Sequence, residues 1–109
     1  MGRRAGGHFG GRAAILEFFL NRKVAELAKR LAQHLAKRYP PAIANNPVQM
    51  VSQQRLSDIL EEVYALTADF ARVNKLGWIR RVKLRNAFRW ELEEMGYDEN
   101  FIDVAAAGL

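Results

Sequence analysis

The sequence has no cysteine and only two histidines in 109 residues. Without thiols, disulfide bonds and thiolate metal ligands are excluded, and an intracellular, cytoplasmic location is favoured. No serine or histidine is placed near a carboxylate by its spacing, and no glycine-rich phosphate loop follows a strand. We therefore predict a protein that is not an enzyme and that has no cofactor and no metal site.

Long apolar runs are also missing. None approaches the roughly 20 residues that a helix needs to span a bilayer, so the sequence predicts no transmembrane segment. No stretch shows sustained alternation of apolar and polar residues, which would be typical of strands. Only three prolines occur, Pro40, Pro41 and Pro47, and all lie between the periodic stretches. These absences favour an all-α protein.

The composition is that of one folded, basic domain. Apolar residues make up 50% of the chain, and 17 Lys and Arg against 12 Asp and Glu give a net charge of +5. A chain of this length holds one modest core. The positive charge favours anionic partners such as nucleic acid or acidic proteins.

The stretch Leu56–Phe70 has the clearest helical pattern. Its apolar residues follow at steps of three and four, which places them on one side of a helix: Leu56, Ile59, Leu60, Val63, Tyr64, Thr67 and Phe70. The sequence allows two starts for this helix. One is at Pro47, with Asn46 as the cap, and the other is near Gln53. We expect its end near Lys75, marked by Gly77.

Three further helices are predicted. The first runs from Arg12 to Tyr39, where Pro40-Pro41 stops it. Another runs from Trp78 or Ile79 to Met95 and is closed by Gly96, and a short last helix spans 99–106 with Asp98 as its cap. Residues 42–46 are expected to form a loop. Met95-Gly96-Tyr97 before a helix also resembles the Met-Gly-Phe/Tyr turn of ubiquitin-associated domains, but no function is inferred from so short a match.

The predicted fold is a small bundle of three principal helices plus a short C-terminal helix. Residues 1–11 contain five glycines and form a flexible basic arm, while residues 12–109 form a single helical domain. The predicted core comprises Leu31, Leu35, Leu56, Ile59, Leu60, Val63, Phe70, Leu84, Phe88 and Leu92.

Two groups of residues are candidates for binding. The first is basic and would contact nucleic-acid phosphates: Arg3, Arg4 and Arg12 in or beside the arm, and Arg80, Arg81, Lys83, Arg85 and Arg89 in the third principal helix. Arg81, Arg85 and Arg89 are spaced four apart and form a ridge. The alternative is a solvated surface in which Arg89 pairs with Glu93.

The second group is apolar and would form a protein interface. Ile15, Phe18 and Phe19 fall outside the stripe that the rest of the first helix buries, and Trp78 and Trp90 add two large rings. A bend in the chain, a second subunit, another protein or a membrane would cover them.

Two functions follow as hypotheses. The first is a small accessory protein that binds nucleic-acid backbone without sequence specificity, because Trp78 and Ile79 occupy the start of the helix that would have to read bases. The alternative is an assembly or adaptor protein that makes helix-mediated contacts, with itself or within a larger complex. Salt distinguishes them, since only phosphate binding weakens steeply with ionic strength.

Overall fold

The structure, a computed structural model, describes the backbone of residues 2–45 and 53–109 and the side chains of residues 14–45 and 54–109. These residues contain five helices and no strand, so the predicted all-α bundle is confirmed. The helices are α1 (Gly2–Arg38), α2 (Pro41–Ala44), α3 (Gln53–Val73), α4 (Trp78–Met95) and α5 (Glu99–Ala106).

The helix α1 begins earlier than the sequence predicted. It includes backbone that we assigned to the arm, but the side chains of residues 1–13 lie outside the described part, and the flexibility of the arm stays a prediction. The proposed helix start at Asn46-Pro47 also lies outside it.

The segment predicted as a loop after Pro40 contains the short helix α2. Pro41 occupies its first turn, and the N–H groups of Ile43 and Ala44 donate to the carbonyl of Pro40, each at 3.0 Å. Proline suits this position because its missing N–H would have no partner there. The side chain of Asn45 then donates to the carbonyl of Gly96 (2.7 Å) and accepts from the N–H of Asp98 (3.0 Å). Asn45 thereby ties α2 to the turn between α4 and α5.

The end of α3 differs from the prediction. Lys75, not Gly77, adopts the left-handed conformation, with φ 51°, and the N–H of Leu76 donates to the carbonyl of Ala71 at 3.0 Å. This is the hydrogen bond of a Schellman motif, in which glycine is the usual left-handed residue. Gly77 is extended and precedes α4 as its N-cap.

The ends of α4 and α5 confirm the prediction. Gly96 is left-handed, with φ 98°, and its N–H donates to the carbonyl of Glu93. Asp98 accepts a hydrogen bond from the N–H of Phe101 at 2.8 Å and so caps α5. Both residue types are those that helix ends prefer.

The three long helices alternate in direction. Nη1 of Arg38 donates to Oε1 of Glu62 at 2.9 Å, while Leu27, further back on α1, shares a cavity with Phe70, further along α3. These contacts make α1 and α3 antiparallel. The helix α4 runs parallel to α1, because Arg80 near its start is bound to Glu17 and Gly96 after its end is bound to Asn45.

The core lies between α1, α3 and α4 and is closed by α5. Most of the predicted core is buried, although Leu56 and Phe70 are half-buried at its edge. At one end, Tyr97 donates from its hydroxyl to the carbonyl of Tyr39 at 2.5 Å. The ring of Phe101 stacks between these two tyrosines, with ring centroids 5.3 Å from Tyr39 and 4.9 Å from Tyr97. Burial raises the pKa of Tyr97 to about 12, and Tyr39 adds to this effect.

Candidate interaction surfaces

The first described turns of α1 carry large apolar side chains that the bundle leaves uncovered. Ile15 is 72% exposed, Phe18 is 70% exposed, and Phe19 is also exposed. They lie opposite the face of α1 that is buried further along the helix, as their spacing predicted. Nζ of Lys23 lies 4.8 Å from the centroid of the Phe19 ring.

Trp78 lies at the same end of the bundle. It is 75% exposed and lines a cavity of about 260 Å³ together with Glu17 and Arg80. The fold positions it there because Nη2 of Arg80 donates to Oε1 of Glu17 at 3.4 Å, which links the start of α4 to α1. Ile15, Phe18, Phe19 and Trp78 are called the end surface below. Trp90 is exposed too, but it lies three turns further along α4.

The junction between α1 and α4 contains unsatisfied polar atoms. Nε of Arg80 is buried without a hydrogen-bond partner, and so is Oδ1 of Asn21, one helical turn after Glu17. A buried polar atom without a partner costs about 1–3 kcal/mol. Buried polar atoms at this end of the bundle therefore have fewer hydrogen-bond partners than those at the end that contains Tyr39 and Tyr97.

A second apolar surface, which the sequence analysis missed, lies between α1 and α3. It is a cavity of about 420 Å³ whose apolar walls are Leu27, Leu66, Phe70 and Val73, called the α1–α3 groove below. Val73 is 65% exposed and Leu66 is 49% exposed. The signal was present, because Leu66, Phe70 and Val73 form a second stripe at steps of four and three.

Polar side chains border this groove. Nε2 of His34 lies 3.0 Å from Oε2 of Glu62, whose other oxygen accepts from Arg38. The hydrogen bond to His34, followed by the charge of Arg38, lowers the pKa of Glu62. Asp69, at the other end of the border, pairs with Arg72 at 2.5 Å.

The predicted basic residues whose side chains the structure describes fall into two groups. Arg80 is paired with Glu17, and Arg89 donates to Asp103 on α5 at 2.7 Å rather than to Glu93 as the alternative had it. Arg81, Lys83 and Arg85 are exposed and form no ion pair with any described residue. The side chains of Arg3, Arg4 and Arg12 lie outside the described part.

The described part of the chain contains neither a candidate metal cluster nor a candidate membrane span. Among the described residues, no three His, Asp or Glu side chains come together in a way that could hold a metal ion. No helix in that part of the chain is long and apolar enough to cross a membrane. Comparisons with protein families, curated proteins and solved structures find no significant match.

Proposed function

We propose that the protein is a non-enzymatic assembly or adaptor subunit of the cytoplasm that binds another protein chain through the end surface. The observation that supports this most is the exposure of Phe18 beside two other uncovered apolar side chains on the same helix turns. One Phe ring can bury about 150–250 Å² on binding. Grouped apolar side chains of this size mark interaction surfaces, and aromatic residues are enriched at the centre of protein interfaces.

Site-specific crosslinking in the native cell tests this proposal. A photo-crosslinking amino acid replaces Phe18 and, as a control, the exposed Glu94 at the far end of α4. Phe18 should yield one discrete protein adduct, identified by mass spectrometry, and Glu94 should yield none. Equal adducts from both positions, or none from Phe18, would reject the proposal.

Binding of nucleic-acid backbone is the second candidate function. It is supported by the exposure of Arg81, Lys83 and Arg85, which form no ion pair with any described residue and so keep their charge available for phosphates. The basic residues Arg3 and Arg4 would add to the same charge. Arg89 contributes less than its place in the ridge suggested, because Asp103 neutralises it.

A further inference from the structure

One face of α1 connects the end surface to the α1–α3 groove. Ile15, Phe19, Lys23, Glu26 and Arg30 follow one another at steps of four, four, three and four, so they lie on one side of the helix. Lys23, Glu26 and Arg30 line a cavity of about 340 Å³ that adjoins the groove. This face therefore has exposed apolar side chains at one end, an apolar groove at the other, and charges between them.

We propose that two copies of the chain pair along this face with their α1 helices antiparallel. Ile15 and Phe19 of each copy dock in the α1–α3 groove of the other. The inference rests on the proposed function and names its partner, a second copy of this chain.

The charges at the middle of the face select this arrangement. A two-fold axis between Lys23 and Glu26 sets Lys23 of one copy against Glu26 of the second copy, and the same contact occurs again across the axis. A parallel pair in register would instead set Lys23 against Lys23 and Glu26 against Glu26. Unlike charges attract and like charges repel across an interface, so the antiparallel pair is favoured.

The same axis brings the apolar parts together. It places Phe19 opposite Arg30 of the second copy and Ile15 opposite His34, and both Arg30 and His34 line the cavity of about 420 Å³. A cavity of that volume is in the range that accommodates apolar ligands. The guanidinium of Arg30 can also lie over the docked ring, an arrangement that stabilises aromatic side chains.

A second copy covers Ile15, Phe19 and the α1–α3 groove with a single interface. Two-fold interfaces are self-complementary, so each contact is made twice. Two docked Phe19 rings bury about 300–500 Å². Ile15, Leu16, the groove residues and the paired helix faces would add to this area toward the roughly 1,600 Å² of a standard interface.

Light scattering and sedimentation of the full chain over a range of concentrations test the dimer. The parent should reach twice the mass of one chain. Phe19→Ser and Val73→Ser should each raise the dimer dissociation constant about tenfold or more, because they remove the docked ring and one wall of the groove. Val104→Ser removes an exposed apolar side chain of α5 that belongs to neither surface, and it should leave the dissociation constant within about twofold. Circular dichroism establishes that each variant remains folded.

A charge exchange tests the orientation. Lys23→Glu and Glu26→Lys should each weaken the dimer about three- to tenfold by setting like charges together twice. An equimolar mixture of these two variants should form a heterodimer about as tight as the parent, because every facing pair is again of opposite sign. Single variants that dimerise as tightly as the parent, together with a mixture tighter than the parent, would indicate the parallel pair and overturn the antiparallel arrangement, as would a mixture no tighter than the single variants.

The outcomes separate this inference from the proposed function. A parent that stays at the mass of one chain at every concentration overturns the dimer. Binding of that single chain to phosphatidylserine vesicles through Phe19 would not change this conclusion. A dimer that Val104→Ser dissociates and Phe19→Ser does not also overturns it. In either case, a crosslink from Phe18 to a different protein would still support the proposed function.

Discussion

Gly108 packs against the ring of Tyr64 so closely that a methyl group at Gly108 would overlap the ring atoms. The ring cannot move away without loss, because its hydroxyl donates to the carbonyl of Ala105 at 3.0 Å. Gly108→Ala should therefore lower the free energy of unfolding by about 1–3 kcal/mol. Gly77→Ala is the matched control, since no atom lies within 4 Å of its added methyl group, and it should change stability little. Equal effects of the two substitutions in urea unfolding would contradict the close packing.

Lys75 adopts a left-handed conformation that costs an L-residue about 1–2 kcal/mol relative to glycine. Lys75→Gly should relieve this strain, although glycine loses more backbone entropy on folding. The expected net gain in the free energy of unfolding is up to about 1 kcal/mol. Lys75→Ala serves as the control, because it removes the same charge and keeps the strain. A gain of the same size in the alanine variant would assign the effect to the charge.

The helix ends show which parts of the fold can be predicted from the sequence. Local signals were sufficient where the deciding contacts lie within a few residues, as at the Asp98 cap and the Gly96 helix end. The prediction for the end of α3 was wrong because left-handed helix ends prefer glycine, and Gly77 lies only two residues after Lys75. Gly77 was therefore chosen as the residue that ends the helix. The chain instead uses Gly77 to enter α4.

The candidate surfaces likewise include features that depend on nearby residues, which were predictable, and features that depend on distant ones, which were not. The exposure of Ile15 and Phe18 was predictable, because one helix cannot bury two opposite faces in a single core. The pairing of Arg89 with Asp103 was not, because it depends on how α5 folds back against α4. The stripe that contains Leu66 and Val73 was visible in the spacing. It was overlooked because the longer apolar stripe of the same helix, from Leu56 to Phe70, already explained the helix.

The hydrogen bond from Tyr97 to the carbonyl of Tyr39 is buried at one end of the core. Tyr97→Phe removes the donor and leaves that carbonyl without this partner, so the free energy of unfolding should fall by about 1–3 kcal/mol near neutral pH. The stacking on Phe101 is retained, which keeps the fold intact. An unchanged urea midpoint would show that the hydroxyl contributes nothing to stability.

The same residue predicts a pH dependence on the alkaline side. Its pKa is raised from 10.0 to about 12, mainly by burial, so the folded state favours the protonated phenol. The stabilisation is therefore fully present below pH 10 and is lost as the pH rises through about 12. Urea unfolding should show the difference between the parent and Tyr97→Phe shrinking across that interval. A difference that stays constant with pH would contradict the raised pKa.

The three exposed cations in the first half of α4 distinguish the two candidate functions. If the chain binds nucleic-acid backbone, changing Arg81, Lys83 and Arg85 to Gln should weaken binding evenly across sequences. Each lost phosphate contact should also make the slope of log affinity against log salt shallower by about 0.9. Fluorescence anisotropy with labelled oligonucleotides over a series of salt concentrations measures both quantities.

Arg89→Gln provides the control for this series. Its guanidinium already pairs with Asp103, so its loss should leave the salt slope unchanged and lower stability by no more than about 1 kcal/mol. A triple variant that binds with the parent's slope would show that these cations do not contact phosphate. A parent that binds no oligonucleotide at low salt, yet crosslinks through Phe18, would leave assembly as the function, because contacts between apolar side chains are not screened by salt.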